Sequence, residues 1–338
     1  SSSHFSNHNF VFGHTRLAII DLSDAGLQPM TLDGYTITYN GEIYNYLELR
    51  EELTSLGHEF TTSTDTEVLL RAYIEWDLDC FNRFNGMWGL AIFDPIQAKV
   101  ILSRDRYGVK PLYYTIANGI LQFSSEIRSL LTYLPEPIHD EEVMFNFLAF
   151  GHTDVCEKTF FTDIFQLRGG ANLVIDLKEG GSESQQYYDL KKALVAGNGT
   201  AGKTKELFSS AVKIRLRSDV LVGSCLSGGL DSSAIVATAA NFLTKDEKGN
   251  FRAVHAISTD GNRDESKYAR LVASRSLIEL STLKPSYDDF RNSLDEVVRA
   301  QEEPFGSTSI VLQFLVMKKA KEIGIKVLLD GQGGDETW

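Results

Sequence analysis

Apolar positions in the first half of the chain fall in short runs of strand character, separated by turn residues. Phe10–Gly13, Tyr35–Tyr39, Gly89–Phe93, Val100–Ser103, Leu112–Ile116, Ile120–Phe123 and Leu173–Leu177 are rich in aromatic and β-branched residues and read as strands. Two stretches interrupt them with a helical period. Tyr46–Leu56 carries leucines at 49, 53 and 56 and runs into Gly57, a C-terminal stop. Thr64–Trp76 opens with Thr-Asp-Thr-Glu, the spelling of a capping box, and sets Val68, Leu69, Ala72 and Tyr73 along one side. Strands in series with few helices predict α+β layers.

The pattern changes after about Gly180. Residues 181–203, rich in Gly, Ser, Lys and Gln, read as a linker between a domain over 1–180 and another over 204–338. Beyond it the pattern predicts helix Lys203–Leu216, strand 220–226, helix 232–243, strand Arg252–Ile257 and helix Glu265–Ser274. Helices Tyr287–Ala300 and Ile310–Ile323 and strand Ile325–Leu329 follow. Alternation of this kind predicts an α/β domain with a doubly wound parallel sheet.

Composition narrows the class. The 338 residues suffice for two domains with real cores, and 43% hydrophobic with 23% charged residues fits a soluble globular enzyme. A net charge of −13 argues against nucleic acid or an anionic membrane as the main partner. Cys80, Cys156 and Cys225 have neither metal-like spacing nor a disulfide framework, and are expected as small buried hydrophobes in a reducing compartment. No segment reaches the roughly 18 apolar residues of a membrane span, and no signal peptide is present, so the expected location is cytoplasmic.

The sharpest chemical signal is Leu226-Ser-Gly-Gly-Leu-Asp-Ser-Ser233, an apolar run feeding a glycine turn that opens a helix. Glycines let several N–H groups converge on one anion, and the helix dipole points its positive end there. Ser227, Ser232 and Ser233 add hydroxyls, and Asp231 offers a carboxylate for Mg²⁺. Read blandly, the same residues are a strand-to-helix turn capped by Asp231 or Ser232. A second stretch, Gly197-Asn-Gly-Thr-Ala-Gly-Lys-Thr204, satisfies P-loop spacing. It lacks a buried parallel strand in front, since only Ala193–Ala196 precedes it after two lysines, and it is assigned to the linker.

The 226–233 pattern resembles the pyrophosphatase loop of the ATP pyrophosphatases, and the whole chain resembles the glutamine-dependent asparagine synthetase family. In the first half the resemblance rests on His14-Thr-Arg-Leu-Ala-Ile-Ile-Asp21, Asn40-Gly-Glu-Ile-Tyr-Asn45, Thr64-Asp-Thr-Glu67, Phe84-Asn-Gly-Met87 and Arg104-Asp-Arg-Tyr-Gly-Val-Lys-Pro-Leu-Tyr113. In the second it adds Glu302-Glu-Pro-Phe305 and Asp330-Gly-Gln-Gly-Gly-Asp-Glu336. It implies an N-terminal-nucleophile hydrolase fold with glutaminase activity, followed by an ATP-dependent synthetase that amidates a carboxylate, aspartate first. A sugar acid or similar carboxylate, a P-loop nucleoside triphosphatase and a non-catalytic relative are the alternatives.

The resemblance implies oxyanion donors from Asn40 and Gly41, a grip on the glutamine α-carboxylate by Arg16, and acceptance of its α-ammonium by Glu42 and Asp65. Asn40 also counts among the glutamine-binding residues. From the residues alone, Asn40-Gly41 is a hairpin signal, Arg16 an ion-pair residue and Asp65 a first-turn acid. Arg104, Asp105 and Lys110 are expected to pin a loop between strands. For ATP it implies Leu226, Ser227, Gly228, Gly229, Asp231, Ser232, Ser233, Thr259, Asp330 and Gly331, with Asp231 and Asp335 as Mg²⁺ ligands; Thr259 replaces a usual aliphatic. The bland alternative for Asp330–Glu336 is a glycine turn with solvated acids. Gln332 stands where bacterial members often carry a glutamate that handles protons, which glutamine cannot do. A homodimer is a further expectation. The family's nucleophilic cysteine, at the start of a Cys-Gly-Ile motif, has no counterpart near Ser1-Ser2-Ser3, so the chain is expected to be partial or trimmed, incomplete at both ends.

Overall fold

The computed structural model describes residues 2–6, 10–134, 136–194, 199–244, 251–258 and 264–334. The chain divides into two compact units, Ser1–Gly197 and Asn198–Trp338.

In the first unit the order is β1 (Ser2–Ser6), β2 (Val11–Thr15), β3 (Met30–Leu32), β4 (Tyr35–Ile43), α1 (Tyr46–Ser55), α2 (Asp65–Trp76) and α3 (Cys80–Arg83). Then come β5 (Gly86–Asp94), β6 (Lys99–Arg104), β7 (Tyr113–Ala117), β8 (Ile120–Ser124), α4 (Ile127–Leu131), α5 (Glu141–Phe150), β9 (Phe165–Gln166), β10 (Ala171–Asp176), β11 (Ser182–Gln186) and α6 (Leu190–Ala193). Six strands form one antiparallel sheet in the order β11-β10-β6-β5-β4-β3. A three-stranded sheet, β8-β7-β9, and the β1-β2 pair complete the strands.

Period two along β5 and β6 explains the layers. Trp88, Leu90, Ile92 and Ile101 pack with Leu49, Leu53, Val68, Leu69 and Ala72 of α1 and α2. The intervening Ala91, Val100 and Leu102 pack with Phe12, Leu112 and Leu173, joined by Tyr114 and Phe123 of the smaller sheet. Both faces of the large sheet are therefore covered, which is why β5 reads as a nearly continuous apolar run. The α+β expectation holds.

Helix ends follow their local chemistry. After Leu56, Gly57 takes φ +100°, with Gly57 N–H bonded to Thr54 O at 3.0 Å and His58 N–H to Leu53 O at 3.0 Å, a Schellman stop. Thr64 caps α2 through the Thr66 N–H at 2.8 Å. Glu67 does not reach back to the cap as a capping box would. Its carboxylate takes the N–H groups of Thr61 at 3.0 Å and Thr62 at 2.6 Å, pinning the loop ahead of the helix.

The expected linker is partly structured. Ser182–Gln186 pairs with Ala171–Ile175, and Leu190–Ala193 forms a helical turn capped by Asp189. The β11 side chains are mostly exposed, so backbone hydrogen bonds build this edge strand without an apolar pattern to announce it. Of the cysteines, Cys80 is buried but Cys156 is exposed, which corrects the expectation that all three are buried; its neighbours Asp154, Val155 and Glu157 lie at the surface of a loop.

The second unit runs α7 (Ala201–Arg215), β12 (Val222–Cys225), α8 (Leu230–Phe242), β13 (Arg252–Ala256), α9 (Ser266–Ser276), β14 (Glu279–Leu283), α10 (Tyr287–Gln301), α11 (Ser309–Glu322) and β15 (Val327–Leu329). The four strands are all parallel, ordered β14-β13-β12-β15. The order reverses between β12 and β15, and such a switch point opens a crevice at the carboxyl ends of the two strands. The doubly wound α/β expectation holds. The loops after β12 and β15 are Leu226–Gly229 and Asp330–Gly334.

Candidate functional site

In the first unit a cavity of about 780 Å³ gathers Arg16, Asn40, Gly41, Glu42 and Asp65. Asn40 and Gly41 sit inside β4, opposite Gly89 and Trp88 of β5, so the hairpin reading of this dipeptide is overturned. The pairing explains the glycine: a Cβ at Gly41 would lie 2.1 Å from Met87 O and 2.6 Å from the Tyr39 ring. Only a residue without a side chain lets β4 and β5 close here.

Glu42 and Asp65 are buried, 4% and 6% exposed. Asp65, the first residue of α2, accepts from Tyr39 Oη at 3.0 Å and Ile43 N–H at 2.9 Å. Burial nevertheless raises its carboxyl above the ordinary range, against the pull of those bonds. Burial also pushes Glu42 up to about 7, helped by the neighbouring Asp65 and opposed by Lys110. Glu42 Oε1 has no hydrogen-bond partner. Two buried carboxyls, one with an oxygen that lacks a hydrogen-bond partner, can receive a further cationic donor.

Arg16 lines the same cavity, but its guanidinium holds the turn that follows, donating to Ser23 O at 2.7 Å, to Ile20 O at 3.2 Å and to Asp21 O. Gly26 permits this, since a Cβ there would overlap the guanidinium. Arg104 and Asp105 pin their loop as expected. Arg104 donates to the carbonyls of Lys110 at 2.7 Å, Gly108 at 2.6 Å and Leu167 at 2.7 Å. Asp105 accepts from the N–H groups of Trp88 at 3.1 Å, Val109 at 2.9 Å and Lys110 at 2.9 Å. The Lys110 peptide is held at both ends while its side chain borders the cavity, a placement its loop role did not suggest. His14 and Tyr39 also line it; His14 was legible only as part of its motif, and Tyr39 only as a strand residue.

In the second unit the glycine turn lies at the end of β12. Gly228 takes φ +98°, and Gly229 caps α8. The Ser227 and Ser232 hydroxyls bond each other at 2.9 Å, Ser232 Oγ accepts the Ser227 N–H at 3.2 Å, and Ser227 Oγ accepts the Gly229 N–H at 3.1 Å. Ser232 is thus turned inward to shape the loop, and α8 starts at Leu230, two residues earlier than expected. Ser233 sits in the first turn, its N–H bonded to Gly229 O at 3.2 Å. Leu226 is fully buried, and its backbone is engaged at both ends: the N–H donates to Val254 O at 2.9 Å and the carbonyl lies 2.8 Å from His255 Nδ1.

The second loop meets the first at Asp231. A Cβ at Gly334 would come 2.8 Å from Asp231 Cγ, and one at Gly331 3.2 Å from both Asp231 Cβ and Ser232 N. Two glycines thus let the β15 loop close on the first turn of α8. Asp330 Oδ1 accepts the Gly331 N–H at 2.7 Å, and Gln313 Nε2 donates to its Oδ2 at 3.2 Å. Gln332 is exposed. Thr259 and Asp335 lie outside the described residues. The P-loop spacing fares differently: Thr200 caps α7, Lys203 pairs with Glu206 at 3.5 Å, and the turn upstream, Leu190–Ala193, is helical where a P-loop needs a strand; Gly197 and Asn198 lie outside the described residues.

An antiparallel layered unit with a polar pocket is followed along the chain by a doubly wound unit whose two glycine turns meet at the switch point, and the matches to known families give this pairing its class, a glutamine amidotransferase domain followed by a synthetase domain. Residues 1–188 match the family described as glutamine amidotransferase domain, and residues 203–338 match asparagine synthase. A Methanocaldococcus jannaschii protein named "Putative asparagine synthetase (glutamine-hydrolyzing) 2" is 35% identical, over 99% of this chain and 67% of its own length. "Asparagine synthetase (glutamine-hydrolyzing) 3" of Bacillus subtilis is 35% identical over 79% and 44%, and "Amidase chry2" of Gibberella zeae 28% identical over 98% and 51%. The chain belongs to the glutamine-hydrolysing asparagine synthetase family. It spans between 44% and 67% of the length of these relatives.

Proposed function

We propose that the chain carries out ATP-dependent amide synthesis, with ammonia released from glutamine in the first unit and a carboxylate activated in the second. The observation that carries the reading is the meeting of two glycine turns on Asp231 at the sheet's switch point. In the first unit, Asn40 and the Gly41 N–H would face the developing oxyanion of a glutamine amide. Glu42 and Asp65 would receive the α-ammonium, and the orphaned Glu42 oxygen supports a cationic guest. Arg16 would meet the α-carboxylate with whatever part of its fork the loop carbonyls release.

In the second unit, the backbone of Gly228, Gly229 and Gly331 with Ser227, Ser233 and Asp330 would hold ATP, Leu226 would anchor the base of the turn beside the nucleotide, and Ser232 would set the loop's shape. Thr259 belongs to the proposed adenosine contacts. Gly228 closes against the Glu265 backbone and Gly334 against the Asp231 carboxyl, so both positions need glycine for the turns to keep the shape that would receive a polyphosphate. Asp231 and Asp335 would hold Mg²⁺, which neutralises phosphate charge as the leaving group departs. Aspartate is the acceptor carboxylate proposed first. Gln332, in place of a proton-handling glutamate, favours a second reading in which another carboxylate is amidated. We keep the cytoplasm as the expected compartment, with three unpaired cysteines in support.

The test is pyrophosphate release from ATP with ammonium and a panel of carboxylates. Release that depends on aspartate, and that Asp231→Asn abolishes, supports the first reading. Release that depends on another acid supports the second, and none with any acid rejects both.

A further inference from the structure

Lys110 enters the cavity of the first unit from a clamped loop. Its N–H donates to Asp105 Oδ2 at 2.9 Å, and its carbonyl accepts from Arg104 Nε at 2.7 Å. The next two residues lie against β5, where a Cβ at Gly89 would come 2.8 Å from Pro111 O and 3.4 Å from Leu112 Cβ. Gly89 stands opposite Asn40 in the β4–β5 pairing. Side chains alternate along a strand, so Asn40 and Glu42 share one face of β4, and directly paired residues share that face across strands. The loop therefore delivers Lys110 to the face that carries Asn40 and Glu42, and all three line the cavity.

Among the described residues the Lys110 ammonium makes no hydrogen bond or ion pair. The residue is half-buried, and burial holds the ammonium below its ordinary range while Glu42 and Asp105 act the other way. Arg16, the other cation of the cavity, spends its guanidinium on the carbonyls of Ser23, Ile20 and Asp21. Facing this positive charge are the buried Glu42, whose Oε1 has no partner, and Asp65. The remaining titratable lining adds no net charge. His14 is held below its ordinary value by burial and Arg16, and Tyr39 is pushed far up by burial and Asp65. Glu126 is exposed and paired with Arg128 at 2.7 Å. Arg16 and Lys110 thus balance Glu42 and Asp65, which suits a guest that carries one charge of each sign.

We propose that Lys110 is a specificity-determining residue of the glutamine pocket: its ammonium is the counter-charge that makes the cavity take a zwitterion in preference to a cation. The inference rests on the glutamine reading above. Charges in a half-buried cavity act on one another beyond hydrogen-bond range, so the guest's net charge matters as well as its contacts. Without Lys110 the cavity sets Arg16 alone against Glu42 and Asp65, and a cationic amide gains what an anionic amide loses. A zwitterion gains at one end what it loses at the other. Arginine would keep the charge at this position, and methionine would keep much of the stem without it.

The experiment measures binding of three amides to the full chain by saturation-transfer NMR at about pH 8, where Glu42, at about 7, is ionised. The probes are glutamine, γ-aminobutyramide, which lacks its carboxylate, and glutaramate, which lacks its ammonium. The proteins are the wild type, Lys110→Met and Lys110→Arg, with Lys110→Gln in place of a methionine variant that does not fold. Loss of the charge should raise affinity for γ-aminobutyramide roughly tenfold, lower that for glutaramate roughly tenfold, and change glutamine by less than either. Lys110→Arg should keep the wild-type order. A merely structural role would weaken all three amides together. That outcome, or the same order of the three with and without the charge, overturns the role of Lys110 while leaving glutamine binding intact. A wild type that binds none of the three removes the glutamine reading itself, and the role of Lys110 with it.

Discussion

The two candidate sites reach their chemistry by opposite means. The pocket of the first unit is made of charge held inside a layered sheet, with Glu42 and Asp65 almost wholly buried. The crevice of the second is made of backbone, two glycine turns meeting over Asp231, with Leu230 beside them 85% exposed. Buried charge costs stability until a partner of opposite sign arrives. A backbone cradle costs little, because its N–H groups are solvated or locally bonded until an anion displaces water. The first site should therefore respond to pH and to ligand charge, and the second to anything that fills the space between its turns.

The largest expected effect breaks the comparison on the side of the first unit. Gly41→Val puts side-chain carbon 2.1 Å from Met87 O inside the β4–β5 pairing. We expect it to destabilise the first unit by about 3 kcal/mol or more, seen as loss of its cooperative melting transition. Gly228→Ala, at φ +98° and against the Glu265 backbone, should cost about 1–3 kcal/mol locally and remove nucleotide binding. A Gly41→Val protein that melts normally and binds glutamine would show that the strands can part there.

Glu42→Gln sharpens the contrast. The Glu42 carboxyl sits at about 7 in the folded chain, against an ordinary value of 4.5. Between those values the folded state holds a proton the unfolded state has released, so this group lowers stability as pH rises, fully so above pH 7. The difference is about 3 kcal/mol. The variant should gain thermal stability over the wild type as pH climbs from 5 to 8, and lose affinity for glutamine. Wild-type glutamine affinity should in turn rise with pH as Glu42 ionises. Parallel melting curves for the two proteins across that range would remove the buried-charge account.

Much of this was legible in the sequence, and the reasons differ by element. The strands β4, β5 and β6 announced themselves because both faces are buried, and α1 and α2 through a leucine period and turn-forming caps. The helix α5 has no apolar period, since none of its residues is buried, yet Asp140, Glu141, Glu142 and Gly151 spell its start and stop. The strands β11 and β14 lie at sheet edges, where backbone pairing needs no apolar alternation. Asn40 and Gly41 carried a turn signal that a close approach between strands overrode. Lys110 and His255 enter the sites through tertiary contacts that no local pattern encodes. Asp231 and the glycines around it were readable because a phosphate turn needs those residue types in that order.

The smallest expected effect concerns the start of α2, whose first residue is Asp65. Thr64→Ala removes the cap on the Thr66 N–H and should cost about 1 kcal/mol in denaturant unfolding. Glutamine affinity should fall by less than in Glu42→Gln, because Asp65 keeps its bonds to Tyr39 and Ile43.

Manganese in place of magnesium offers the most direct reading of the crevice. Electron paramagnetic resonance of Mn²⁺ added with ATP to the full chain should show an immobilised ion that needs the nucleotide. Asp231→Asn and Asp335→Asn should each release it, with glutamine binding unchanged. An immobilised signal that survives both substitutions would contradict the two-turn grip on the nucleotide.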